Sequence, residues 1–153
     1  MITSREAIYS ALFALVNTPQ MLAPTGGLFN TIARNGLLWT DYAQADFPVL
    51  QMVEPDEQYT YNDAKMPRVE LMPFFWIYMR ADDPTIPPAP ILNPLIDAVE
   101  NAILPALQSA PYSAQNLGGL VQWVRIDGGP KKAPGYIDNV GMAILPIKIL
   151  VPF

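Results

Sequence analysis

Apolar residues recur at intervals of three and four near the start of the chain, at Ile8, Ala11, Leu12, Leu15 and Val16. Thr3 and Glu6 stand ahead of them at capping-box spacing, so the pattern predicts a helix over about residues 4 to 17. Pro19 ends it, and Thr18 to Gly27 reads as loop. The period then changes to two. Leu28 to Asn35 alternates imperfectly and Phe47 to Glu54 more clearly, so both are expected as strands, the second with Pro48 near its start and Pro55 as its stop. Asp56 to Pro67 is polar and carries Tyr59 and Tyr61. It is followed by the longest apolar-aromatic run, Arg68 to Arg80. Together these read as a long hairpin with a protruding loop. Around Phe74 to Met79 both faces are apolar, which predicts a helix over one face and another cover, such as a neighbouring subunit, over the other.

Asp82 to Pro90 is a proline-rich connector into a second helix, predicted over Ile91 to Ser109 with Leu92, Leu95, Ile96, Val99, Ile103 and Leu107 as its buried stripe. Pro94 suits a first turn, whereas Pro105 lies inside the pattern and predicts that the helix is kinked or shortened, with a bend near Asn101. Leu117-Gly118-Gly119 turns the chain into a strand over Val121 to Asp127. Gly128 to Asn139 reads as a second long loop, and Gly141 to Val151 as the closing strand. The order helix, strands, helix, strands predicts an α+β fold. Its form is a mainly antiparallel sheet with two helices packed on one face and long hairpin loops, a single domain over residues 1–153.

Composition narrows the chemistry. The 153 residues include no cysteine and no histidine, which excludes disulfide frameworks, thiol nucleophiles, Ser-His-Asp triads and ordinary Cys/His zinc sites. The 17 prolines argue against a helical bundle. A net charge of −5 gives no general field for phosphate backbones. Neither Leu71 to Met79 nor Met142 to Phe153 approaches the length of a spanning helix, and both contain proline. Arg5 followed by Ala7 to Val16 imitates a leader, but Glu6, Tyr9 and Ser10 suit an amphipathic helix better.

Candidate chemistry is sparse. Glu54, Asp56 and Glu57, with Asp63, are close enough in sequence to offer a hard cation several carboxylates, the basis for a metal-dependent hydrolase. Solvation of an exposed loop is the competing reading. Asp82 and Asp83 precede a proline as turn residues do. Gly128 to Gly135 combines glycine and lysine without the order of a phosphate-binding loop, so Lys131 and Lys132 read either as a contact for an acidic patch on another protein or as a solvated tip. Phe74, Phe75, Trp76 and Tyr78 suggest a base-stacking platform, yet few Lys or Arg flank them in sequence, which favours core and subunit interface. Trp39, Tyr42, Phe47 and Trp123 divide between the same two roles. The expectation is a non-enzymatic protein without metal or cofactor, and the candidate contact residues are Phe74, Trp76, Tyr78, Tyr59, Tyr61, Lys131, Lys132 and Trp39.

The order of elements resembles the tail-terminator and minor-tail-protein families of long-tailed bacteriophages. The segments that carry the resemblance are Arg5 to Leu12, Phe29 to Arg34, Phe47 to Met52, the Ile91-to-Leu107 helix, the Leu117-Gly118-Gly119 turn and the two closing strands. The Asp56-to-Pro67 excursion and the Pro87-Pro88 connector depart from a compact member. The resemblance implies an α/β subunit that closes a hexameric ring at the head-proximal end of the tail tube and ends tube growth. It implies three further things: joining to a neck or head-completion protein, DNA only passing through the lumen, and a place in the virion after assembly in the host cytoplasm. A neck or head-completion subunit, or another minor tail protein, is the alternative within the same class.

Overall fold

The computed structural model describes residues 4–23, 26–61, 67–81, 83, 85–104, 115–133 and 139–151. Helix α1 spans Arg5–Val16 and buries Ile8, Tyr9, Leu12 and Val16, the stripe its spacing requires. The side chain of Ser4 ahead of it makes no capping bond, and Thr3 lies outside the described residues. Helix α2 spans Ala89–Ile103 and buries Leu92, Leu95, Ile96, Val99 and Ile103. It begins two residues earlier than the pattern predicts, which places Pro94 in its interior instead of its first turn. It ends at Ile103, shortened ahead of Pro105 as that proline predicts, because Leu104 precedes it and adopts extended dihedrals (φ −82°, ψ 132°). Leu107 lies outside the described residues.

Six strands form one sheet: β1 (Thr31–Ala33), β2 (Val49–Tyr61), β3 (Pro67–Arg80), β4 (Trp123–Ile126), β5 (Lys131–Ala133) and β6 (Val140–Val151). The order is β1-β2-β3-β6, with β4 and β5 both antiparallel to β6 along its far side. The sheet is mixed, since β1 runs parallel to β2 while the remaining pairs are antiparallel. Two expectations about loops change. Pro55 does not stop β2: Glu54 and Pro55 stand opposite the single residue Pro73 in a bulge, where no ladder donor is needed, and pairing resumes at Asp56↔Met72. Tyr59 and Tyr61 therefore sit on a strand. Likewise Lys131 and Lys132 belong to β5. The chain leaves β6 between β4 and β5 only at Asp127–Pro130, where Gly128 and Gly129 take the positive φ that the protrusion requires (79° and 83°). The expected first strand shrinks to Thr31–Ala33, with Asn30 and Thr31 donating from their side chains to the carbonyls of Phe47 and Asp46 (2.5 and 2.9 Å).

Both helices pack on one face of the sheet. There the core joins Ile8, Leu12 and Val16 of α1 and the α2 stripe to Leu50, Met52, Phe75, Ile77, Leu145, Ile147 and Ile149. Each fully buried aliphatic side chain contributes about 1.5–3 kcal/mol by its removal from water. An arginine fastens α1 to the sheet. Arg34, just past β1, grips Glu6 with two parallel bonds (2.7 and 2.9 Å) and turns its Nε to Glu54. Arg5 bonds Glu57 at 2.6 Å.

The Arg34 guanidinium, helped by the Ser10 hydroxyl, lowers the Glu6 carboxyl from an ordinary 4.5 to about 2. A carboxyl whose pKa falls on folding stabilises the native state above its unfolded pKa, and that contribution is lost as pH drops toward 2. Replacing Arg34 by glutamine is expected to flatten the acid limb of stability between pH 2 and 5. Urea unfolding across that range checks it, and an unchanged slope in the variant refutes the clamp.

Candidate assembly surface

Strand alternation sends Val53, Phe74, Trp76, Met142, Ile144 and Pro146 to the face opposite the helices, all half-buried. Phe74 meets Trp76 edge-on at 5.3 Å, and Trp76 lies tilted on Tyr78 at 5.8 Å. The Trp76 indole nitrogen is covered and has no hydrogen-bond partner among the described residues.

One end of this face is roofed by the chain itself. Trp39, Tyr42 and Phe47, in and beside the short 3-10 turns Trp39–Asp41 and Gln44–Asp46, pack on Val49, Tyr78 and Val140. The roof is fixed by Gln51, fully buried, which accepts from the Tyr42 hydroxyl and donates to the Leu37 carbonyl, each at 2.7 Å. Burial pushes the Tyr78 hydroxyl up to about 12. Two candidate contact residues are thereby reassigned. Tyr78 is 1% exposed and is core, while Trp39 is a partly buried lid residue. Past the roof, no described residue of either helix packs against Phe74, Trp76 or Ile144.

The charges around the open part form a pattern that the linear sequence hides. By register, Arg68, Arg80, Arg125, Lys131 and Lys148 share this face, five of the nine basic residues of an acidic chain. The strand carboxylates beside them are Asp56 and Glu70. Glu70, nearly buried, is shared by Arg68 and Lys148 at 3.2 Å each. Arg125 lies over the Trp123 ring at 4.4 Å. Arg80, Arg125 and Lys131 have no carboxylate partner among the described residues. Lys132, its parity reversed, points to the helix side and donates to Asn93 of α2 at 2.8 Å. The two lysines thus serve opposite faces and do not act as one basic pair.

Tyr59 and Tyr61 are exposed (44% and 73%) on the outer half of β2. They lie on the helix-side parity and away from Phe74 and Trp76, so the predicted contact residues do not converge on one spot. The carboxylates of the same strand do not converge either. Glu54 and Glu57 are held by Arg34 and Arg5, and Asp56 points to the other face. Among the described residues no group of three or more acidic side chains is placed to hold a metal ion. Asp63 and Asp82 lie outside the described residues, and Asp83 closes a local turn onto Thr85 (2.8 Å to its amide). No helix among the described residues is long and apolar enough to cross a membrane.

Compared with known proteins, the chain matches no family model and no curated sequence.

Proposed function

We propose that this protein is a structural subunit of a long-tailed phage particle, of the tail-terminator kind, working by assembly with no chemical step. The observation that carries the reading is the open sheet face: a half-buried aromatic and aliphatic ribbon around Phe74, Trp76 and Ile144, rimmed with cations. An apolar face that no helix among the described residues covers is a surface for another protein. The chemistry beside it supports the same reading, since two of the three carboxylates clustered on β2, Glu57 and Glu54, are spent on Arg5 and Arg34. In this role a ring of subunits caps the head-proximal end of the tail tube and presents a surface to a neck or head-completion protein, while DNA passes through.

The test is electron microscopy of lysates from a phage lacking this gene alone. Overlong tubes beside unattached, filled heads are expected. Tubes of normal length beside unattached heads would transfer the protein to head completion, and normal joined particles would remove the reading altogether.

A further inference from the structure

We infer that the open sheet face of one copy receives the α2 side of a second copy, head to tail. This rests on the assembly reading above and names the contact it uses. Charge selects the pairing. The sheet face carries Arg80, Arg125 and Lys131 without carboxylate partners among the described residues. Helix α2 contains Asp97 and Glu100 and no basic residue, and neither carboxylate has a cation partner among the described residues. The cations that the described residues place on the helix side are already engaged: Arg5 and Arg34 with glutamates, Lys132 with Asn93.

Two copies meeting sheet to sheet would oppose cation to cation, and helix to helix would oppose acid to acid. Only the mixed pairing brings unlike charges together. It also covers Phe74, Trp76 and Ile144 with a helix, as the other side of the same sheet is covered within the chain. A contact between two different faces of one subunit is heterologous, and it closes into a ring when the rotation per step permits.

A nucleic acid strand fits this face less well. The rings lean on one another, Phe74 edge-on to Trp76 and Trp76 tilted against Tyr78, while Arg125 lies over Trp123, so they do not line up as a row of parallel planes for successive bases.

The test is a charge exchange in the full-length chain, with folding checked by circular dichroism. Arg125→Glu with Lys131→Glu alters the sheet face, and Asp97→Lys with Glu100→Lys alters the helix. Each pair is expected to weaken self-association about tenfold or more by sedimentation, and the chain carrying all four changes is expected to regain it. An equimolar mixture of the two paired variants regains it too. A benzophenone side chain in place of Lys131 is expected to cross-link to residues 89–103 of another copy. Failure of the four-fold variant and the mixture to recover overturns the inference. So does a wild-type chain giving no copy-to-copy cross-link, either purified or in particles, and so does a face that instead cross-links single-stranded DNA. Tail length decides the other question independently. Overlong tails with cross-links running to a different protein would keep the terminator role and remove this contact, and copy-to-copy cross-links with normal tails would do the reverse.

Discussion

Replacing Phe75 by alanine is expected to destabilise the fold by about 3–5 kcal/mol, a large share of the roughly 5–15 kcal/mol that holds a domain together. The ring is fully buried on the central strand β3, between Met52 of β2 and Leu145 of β6, on the face that both helices cover. Truncation there removes apolar contact on every side, and the surrounding sheet and helices cannot collapse into the gap. Its chain neighbour provides the control. Phe74 points the other way and is half-buried, so Phe74→Ala is expected to cost only about 1–2 kcal/mol. Urea unfolding of both variants measures the difference. Equal losses would mean that the two faces of the sheet are wrongly assigned.

Exchanging Gln51 for leucine is expected to cost about 2–4 kcal/mol, although the side chain becomes more apolar. Gln51 is fully buried and serves two partners at once, the Tyr42 hydroxyl and the Leu37 carbonyl. Leucine fills similar space but takes the close donor from the Leu37 carbonyl, which keeps only the Tyr78 hydroxyl at 3.5 Å, and the acceptor from the Tyr42 hydroxyl, and a part-buried polar group that loses its partner costs about 1–3 kcal/mol. Tyr42→Phe tests the other half. The single hydroxyl hydrogen goes to Gln51, with Asn35 Oδ1 at 3.0 Å as the alternative acceptor, and Tyr42 is only partly buried, so loss of the hydroxyl costs less, about 1 kcal/mol. A double-mutant cycle over Gln51 and Tyr42 should show a coupling outside the additive error of about 0.5 kcal/mol. Strict additivity would refute the network and with it the account of how the Trp39-to-Phe47 segment is held over the sheet.

The parts of the fold legible in the sequence are those where one periodicity rules a whole element. The α2 stripe from Leu92 to Ile103 and the alternation from Ala143 to Val151 both appear as the pattern predicts. Proline was the main source of error, because its meaning depends on the partner strand. Pro55 is harmless in a bulge opposite Pro73, which only the register reveals. Lysines were the second. Lys131 and Lys132 are neighbours in sequence, and only their place on a strand sends them to opposite faces. The candidate surface was half legible: Phe74 and Trp76 stand out in an apolar run, while Tyr78 beside them is sealed by residues some forty positions earlier. The cationic rim was not legible at all. Arg80, Arg125, Lys131 and Lys148 come from four strands and meet only through the registers of β3, β4 and β5 with β6.

The two outer edges of the sheet share a property that bears on solubility. β1 covers only Val49, Leu50 and Gln51, and beyond them β2 is bent by the Glu54–Pro55 bulge. On the far side, the Asp127–Pro130 excursion divides β4 from β5. Neither border offers a long, straight row of free amides and carbonyls, and one of them is further marked by lysine. A chain that is 51% hydrophobic would otherwise risk adding strands without limit. The interrupted borders deny a template to fibril growth, so the folded chain is kept from pairing edge to edge.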